Sequence, residues 1–361
     1  MNVQRTLVWL ATTCAAGAAC AQSSVTLYGA VDLALVKARG SLSSSTQLAS
    51  NENYTSRIGF TGREDLGGGL YAGFDLEAQL NPDTGAGLPT STNNQPSGTP
   101  ASLGGGQGLT FNRYSVVKLG GPFGELRLGR DFTAHYRNRV DVDPFANQGI
   151  TSSQAQAGSL GGITNARASN MINYVTPPTL GGFYGVVNYY MGENPSGAAN
   201  SSDGRGQSFR VGYRQGPWLV AFSAGRTQYA KTATLGDITS TNAALAYNFG
   251  VVRVMGGYYR DKVDRTAPIT GKGYILGLTA PVFGLHEVRA SYSRYGTDAV
   301  GEPTSTKVAL GYVHNLSKRT AVYTNVVRLS NSGGASAAIP GATSGANAGS
   351  HGYEAGLRTL F

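Results

Sequence analysis

Apolar and polar residues alternate along most of this chain with a period of two, the repeat of a β-strand, and not with the 3.6 of a helix. The carboxyl end is the clearest case. Tyr353, Ala355, Leu357, Thr359 and Phe361 face one way, and Glu354, Gly356, Arg358 and Leu360 the other. Residues 53–63 repeat it, with Ile58 and Phe60 on one face and Arg57, Gly59, Thr61 and Arg63 on the opposite one. The pattern predicts sixteen strands, near 23–36, 53–63, 69–81, 109–119, 125–131, 168–176, 183–193, 207–214, 218–230, 239–248, 251–262, 272–282, 286–296, 305–314, 319–330 and 351–361. Seven connections are tight and rich in Gly or Pro: 64–68, 120–124, 177–182, 215–217, 249–250, 283–285 and 315–318. Eight are longer: 37–52, 82–108, 132–167, 194–206, 231–238, 263–271, 297–304 and 331–350.

Short and long connections in strict alternation describe an up-and-down meander with its turns at one end. An open sheet of this size would leave two unpaired edges and tend to curl or split, whereas closure into a barrel removes them. Side chains cannot fill so wide a barrel, so the interior is wet. Alternation then makes the exterior apolar, and that exterior needs lipid. The closed ring also pairs every backbone N–H and C=O at membrane depth. The fold expected is therefore all-β, a sixteen-stranded antiparallel transmembrane barrel. A membrane helix is not supported, because the apolar, uncharged window 171–192 is divided by Pro177, Pro178, Gly181 and Gly182.

Composition supports this picture. Only 14% of residues are charged, and Gly accounts for 52 of 361, which disfavours both disorder and a helical bundle. Many of the 20 Tyr fall near predicted strand ends, as do Tyr28, Tyr189, Tyr258, Tyr292, Tyr312 and Tyr323. Such positions fit an interfacial aromatic girdle, although Tyr is also a good strand former. Basic residues are 22 Arg and only 7 Lys against 20 acids, a ratio that points to fixed, anion-recognising guanidinium groups.

Residues 1–21 read as a secretory signal, with Arg5, an apolar stretch at 7–17 (LVWLATTCAAG) and Ala19-Cys20-Ala21 as the cleavage site. A lipid-anchored Cys20 is the rival reading. Cleavage would leave one domain, 22–361, without Cys14 and Cys20, and its charge would fall from +9 to +8 with the loss of Arg5.

Five stretches carry a resemblance: 24–32 (SVTLYGAVD), 56–74 (SRIGFTGREDLGGGLYAGF), 120–131 (GGPFGELRLGRD), 309–320 (ALGYVHNLSKRT) and the terminal GLRTLF. Together they resemble the trimeric general diffusion porins of Gram-negative bacteria, in particular the β-proteobacterial branch. The resemblance implies an outer-membrane homotrimer in contact with lipid and lipopolysaccharide. It further implies passive diffusion of small hydrophilic solutes and ions, and a third long loop folded inside the barrel as a constriction.

On this resemblance, Arg57, Arg113 and Arg167 form the arginine column of the inner wall, and Asp141 and Asp143, in the stretch 139–149 (RVDVDPFANQG), offer carboxylates from the loop. Pro144 and Gly149 suit a tight turn there, and Phe145 can anchor it. Guanidinium groups facing carboxylates across a narrow slot make a transverse field, focused by low-dielectric walls, and the excess positive charge favours inorganic and organic anions. Alternatives remain open. Arg57 or Arg63 can pair with Glu64, Asp65 or Asp75, and the loop acids with Arg137 or Arg139. Arg127 and Arg130 stand near the loop's root and can hold it by ion pairs. Lys37, Lys118 and Lys307 read as solvated or headgroup contacts.

Other chemistry is not supported. His135, His286, His314 and His351 lack metal-ligand spacing, no G-x-S-x-G occurs, and Gly104–Gly108 lacks a P-loop Lys. No cofactor, metal, catalytic residue or nucleic-acid partner is expected. The competing readings are a solute-selective channel, an outer-membrane lipase and a secreted β-sandwich binding module.

Overall fold

The computed structural model describes residues 24–99 and 107–361, so the expected leader at 1–21 and most of the Gly104–Gly108 run lie outside the described residues. Eighteen strands occur among the described residues. They are β1 (Ser24–Gly40), β2 (Ser44–Ser50), β3 (Arg57–Gly67), β4 (Leu70–Asn81), β5 (Ala86–Gly87), β6 (Tyr114–Gly121), β7 (Gly124–Phe132), β8 (Arg167–Val175) and β9 (Phe183–Tyr190). They continue as β10 (Gly206–Gln215), β11 (Trp218–Thr227), β12 (Asp237–Asn248), β13 (Arg253–Asp264), β14 (Ile269–Val282), β15 (His286–Thr297), β16 (Thr304–Asn315), β17 (Thr320–Ser332) and β18 (Ser350–Leu360).

All except β2 and β5 form one closed antiparallel ring of sixteen, each strand pairing with its neighbours in the chain. Closure is by β1 on β18, in register from Ala30 opposite Leu360 to Gly40 opposite Ser350. Reciprocal backbone bonds between Gly29 and Phe361, 3.0 and 3.1 Å, finish the seam. Gly29 is required there, since a Cβ would collide with the Phe361 ring.

The alternation read from the sequence is the inside–outside pattern of the wall. Along β17, Ala321, Tyr323, Asn325, Val327 and Leu329 are buried on the lumen side, while Val322, Thr324, Val326, Arg328 and Ser330 face outward. Leu276, Leu310, Val308 and Leu357 belong to the outward band and are more than half exposed. In water this band would be a costly surface, and in a bilayer it is the solvated one.

Four expectations need correction. Residues 37–52 are not a plain loop, because β1 runs to Gly40 and β2 folds back on it, from Leu33 opposite Ser50 to Arg39 opposite Ser44. The segment SSTQLAS alternates well enough to pair, with Leu48 outward and Ala49 buried. The connections after β13 and β15 shrink to 265–268 and 298–303, since these strands extend past the apolar band. The strand expected from 109 begins at Tyr114, because Asn112 turns its Oδ1 to the Gln79 N–H at 2.9 Å and interrupts the ladder. Finally, Tyr28 and Tyr323 are not girdle residues. They point inward, to Glu77 (3.0 Å) and Asp32 (2.7 Å), whereas Tyr189, Tyr258 and Tyr292 do face out.

Nor is the lumen uniformly wet. Phe145 and Ile150, from the long connection between β7 and β8, pack with Ala34, Ala309, Val313, Tyr323 and Leu329 on the inner wall. The wall is thinned to receive them. A Cβ on Gly277 would stand 2.5 Å from Pro144, and one on Gly311 2.8 Å from Phe145.

Candidate pore constriction

One side of the lumen carries a bank of arginines. Arg57 opens β3, and Arg113 immediately precedes β6. Both reach the buried Glu77 of β4, Arg57 Nε at 3.4 Å and Arg113 Nε at closer range, and Tyr28 donates to the same carboxylate. One acid thus holds two guanidinium groups side by side. The Arg57 guanidinium also lies 4.5 Å from the Tyr54 ring centre.

Arg167 opens β8 and lies over Phe132 at 4.0 Å, with Arg137 over the same ring at 4.4 Å. Arg137 donates to the Tyr114 hydroxyl at 2.9 Å. Arg130 donates to the Asn112 carbonyl at 2.7 Å and to Ser169 Oγ at 2.9 Å. Among the described residues, neither Arg130 nor Arg167 has a carboxylate in ion-pair range, and Arg113 and Arg130 both repel the charge of Arg167. Five guanidinium groups therefore share this bank with Glu77 and, 4.0 Å from Arg137, Asp131. Arg binds by stacking and by oriented forks, so it remains charged where a Lys would tend to shed its proton.

The connection 133–166 lies against the other side. At its root, Asp131 accepts from the Phe132 N–H, from Asn173 (2.8 Å) and from Arg127 (3.2 Å), and Arg127 also pairs with Glu125. A helical turn, Arg137–Asp141, follows, and Asn138 donates to Asn242 Oδ1 at 2.8 Å. Arg139, 1% exposed, donates to both oxygens of Asp261 on β13 at 2.9 and 3.1 Å and to the Ala155 carbonyl. Ser159, Ser240 and Tyr295 complete the shell of Asp261, which leaves this buried charge fully hydrogen-bonded. At the tip, the Ile150 N–H donates to Glu52 Oε2 (2.8 Å), and Lys307 donates to the carbonyls of Ile150 (3.2 Å) and Ser152 (2.7 Å). The return turn, Gln154–Ala157, is held by Ser293 on β15 at 2.9 Å. The anchoring strands β12 to β16 stand eight places round the sixteen-strand ring from β3 to β8. The loop therefore narrows the lumen from the side facing the arginines.

The structure brings Arg57 and Arg113 together and sets Arg167 beside them, but it does not bring Asp141 or Asp143 into ion-pair range of any of the three. Asp141 is taken by β10, with Arg214 Nη2 at 2.7 Å and Arg210 also bound to Oδ2. Asp143 is 5% exposed and folds into its own turn, accepting from Phe145 N–H (2.8 Å) and Ser153 N–H (3.3 Å). An Asp before Pro readily makes this local bond, and the loop register then leaves neither acid free. Burial pushes the Asp143 carboxyl up to about 6 and holds His135, at the loop's start, down to about 4. The half-buried side chains that the tip retains are Asn147 and Gln148, which border a cavity of about 550 Å³.

Arg127 and Arg130 stand at the loop root. Lys307 is not solvated but 3% exposed and bound to the loop; Lys118 pairs with Asp75 at 2.8 Å, and Lys37 donates to Thr46. Glu77 and Asp261 escaped the sequence reading, and the alternative pairing of the loop acids with Arg137 or Arg139 does not occur: Arg137 reaches Tyr114 and Phe132, and Arg139 is taken by Asp261. Asp261 had one visible signal: it is an acid at an inward position of β13, flanked by outward Arg260 and Lys262.

A closed sixteen-strand barrel with an apolar outer band, and a lumen narrowed by its own loop, defines an outer-membrane pore. The profile of the Gram-negative porin family matches residues 6–334, and the chain belongs to that family. It is 35% identical to outer membrane porin protein 32 of Delftia acidovorans over 337 residues, 91% of this chain and 90% of that one. It is 26% identical to an outer membrane porin protein of Bordetella pertussis, over 85% and 89% of the two chains. Among solved structures, the anion-selective porin from Comamonas acidovorans superposes with a TM-score of 0.82 at 33% identity, covering 94% of this chain and all of that one. A trimer form of OmpT from Vibrio cholerae, 16% identical with a TM-score of 0.66 over 94% and 99% of the chains, shares the fold. The protein is thus an outer-membrane porin, a water-filled channel for passive diffusion.

Proposed function

We propose that this porin is a non-enzymatic, anion-preferring channel for small hydrophilic solutes and for inorganic and organic anions. The observation that carries the reading is the imbalance at the narrowing: Arg57, Arg113, Arg130, Arg137 and Arg167 against Glu77 and a distant Asp131. Asp141 and Asp143, spent on β10 and on the loop's own turn, act by shaping the constriction and do not oppose the arginines across it. Arg127 and Arg130 secure the loop root. Because each guanidinium is already shared with an aromatic face, a carbonyl or Glu77, a passing anion meets many partial contacts and no closed pocket, which lets it leave.

The same reading takes 1–21 as a cleaved signal, 22–361 as the mature barrel, and the assembly as a homotrimer embedded in lipid and lipopolysaccharide. Short turns and the chain end face the periplasm, and long connections face outward. The trimer form of the Vibrio cholerae neighbour and the named selectivity of the Comamonas acidovorans neighbour support these points by likeness. Recording in planar bilayers under a salt gradient tests the reading. A reversal potential on the anion side, with conductance in steps of three, is expected; cation preference would overturn it.

A further inference from the structure

The outer face of the barrel carries charge that the pore does not use. Arg260 and Lys262 on β13, Lys272 on β14 and Arg294 on β15 all point outward near the long-connection end. Arg260 stands directly opposite Lys272, and Lys272 lies diagonally from Arg294, whose own partner is Tyr274. Side chains directly opposite on antiparallel strands approach to about 5 Å, and like charges so placed repel. Among the described residues none of the four has a carboxylate within ion-pair range. Arg260, Lys272 and Arg294 border a depression of about 570 Å³, closed toward the connections by Asp298 and Glu302, and the Asp298 Oδ1 is occupied by the Thr270 N–H at 2.7 Å; Lys262 lies two residues further along the outward face of β13.

Immediately below lies the aromatic layer. Tyr258 faces Tyr274 across the ladder, and Tyr274 stacks on Tyr292 with ring centres 6.0 Å apart. Tyr258 and Tyr274 also head a second, apolar groove of about 950 Å³. Its floor is made by Ala243 and Gly256, and its walls by Leu245 on β12 and by Phe222 and Leu276 on the flanking strands. A cationic shelf that opens onto an aromatic step and then an apolar trough, all on the lipid-facing side, matches one kind of molecule. Its head carries more than one phosphate, and its acyl chains run down the wall.

We propose that this face is a fixed binding site for lipopolysaccharide of the outer leaflet, with Arg260, Lys262, Lys272 and Arg294 taking its phosphates and the Ala243–Gly256 trough one of its acyl chains. The site deepens the lipid contact proposed above and rests on the long connections facing outward. Guanidinium forks suit bidentate phosphate binding, and each basic group near a charged lipid surface adds to affinity.

The test titrates purified porin in neutral detergent with lipopolysaccharide, with the same material stripped of its phosphates, and with phosphatidylglycerol. Arg260→Gln, Lys262→Gln, Lys272→Gln and Arg294→Gln combined should weaken lipopolysaccharide binding at least tenfold, with single-channel conductance and ion selectivity unchanged. Gly256→Phe, which fills the trough, should weaken it severalfold without altering salt dependence. Unchanged affinity in the fourfold variant, or equal binding of phosphatidylglycerol, would overturn the proposal. If the fourfold variant does not assemble, the parent decides: dephosphorylated material bound as tightly as intact material also overturns it. Conductance separates this failure from that of the channel reading, because no arginine of the constriction is altered.

Discussion

The two sides of the lumen use the same residue types to opposite ends. On the β3–β8 side, arginines outnumber acids, lie on aromatic rings and keep part of their charge uncompensated. On the β12–β16 side, Arg139 is matched to Asp261, and Lys307 is capped by two carbonyls, both almost fully buried. A charged group inside a barrel is thus scaffold or solute field according to whether its neighbours neutralise it, not according to its type. Burial without a partner is expensive, so charges on the loop side must be matched. The bank facing them holds its excess by laying guanidinium groups on aromatic rings and by sharing Glu77 between two of them.

The sharpest way to break this contrast is to unmatch a loop-side pair. Asp261→Ala leaves Arg139 buried and uncompensated, a cost of about 3–5 kcal/mol for such pairs. The loop should detach from β13, seen as faster hydrogen exchange across 133–166 and a noisier single-channel current. Unchanged exchange would mean that the apolar anchors Phe145 and Ile150 suffice. Next in size, Arg57→Ser with Arg113→Ser should reduce the anion-to-cation permeability ratio severalfold. At a separation of about 4 Å in water each charge is worth roughly 1 kcal/mol, and the loss should shrink as salt rises. Arg167→Ser should act in the same direction and by less.

A third experiment uses pH. Asp143 is raised to about 6, so as pH falls through that value the folded loop takes up a proton that the unfolded loop does not, and stability rises. His135 is held down to about 4 from 6.5, so between those values the unfolded loop alone gains a proton and stability falls. In the parent the two effects offset. Asp143→Asn removes the first, and exchange of loop amides, corrected for intrinsic rates, should then be roughly tenfold faster at pH 5 than at pH 7. A pH-independent variant would show that His135 is not the opposing group. The smallest effect is expected for Asp141→Asn. It frees Arg210 and Arg214 from their shared carboxylate, and anion preference should rise by less than about twofold, because Arg214 is largely in water. A shift toward cations would place Asp141 back in the path of solute.

The strands were readable because alternation is a local property of the chain, and an Arg inside a strand can be assigned a face by parity, whereas Arg113 and Arg167 were placed only by resemblance. Arg57 is the example: its face was visible from Ile58 and Phe60 alone. The loop was not readable in the same way. Asp141 and Asp143 looked like pore carboxylates, since their sequence shows charge and turn propensity but not which of β10, β13 or the loop's own amides stands nearest. Tyr28 and Tyr323 illustrate the same limit, because a Tyr near a strand end suits an outer girdle or an inner hydrogen bond equally well.

By itself, then, the sequence determined the strand periodicity, the closed barrel it demands, the membrane that barrel needs and the surplus of arginine. Only the tertiary structure decided where that surplus is felt. Glu77 clasps two arginines from distant segments, Asp261 disarms Arg139 across 122 residues of chain, and Arg210 with Arg214 withdraws Asp141. Charge is carried by the residue, but compensation depends on distances between segments that only closure of the barrel brings together.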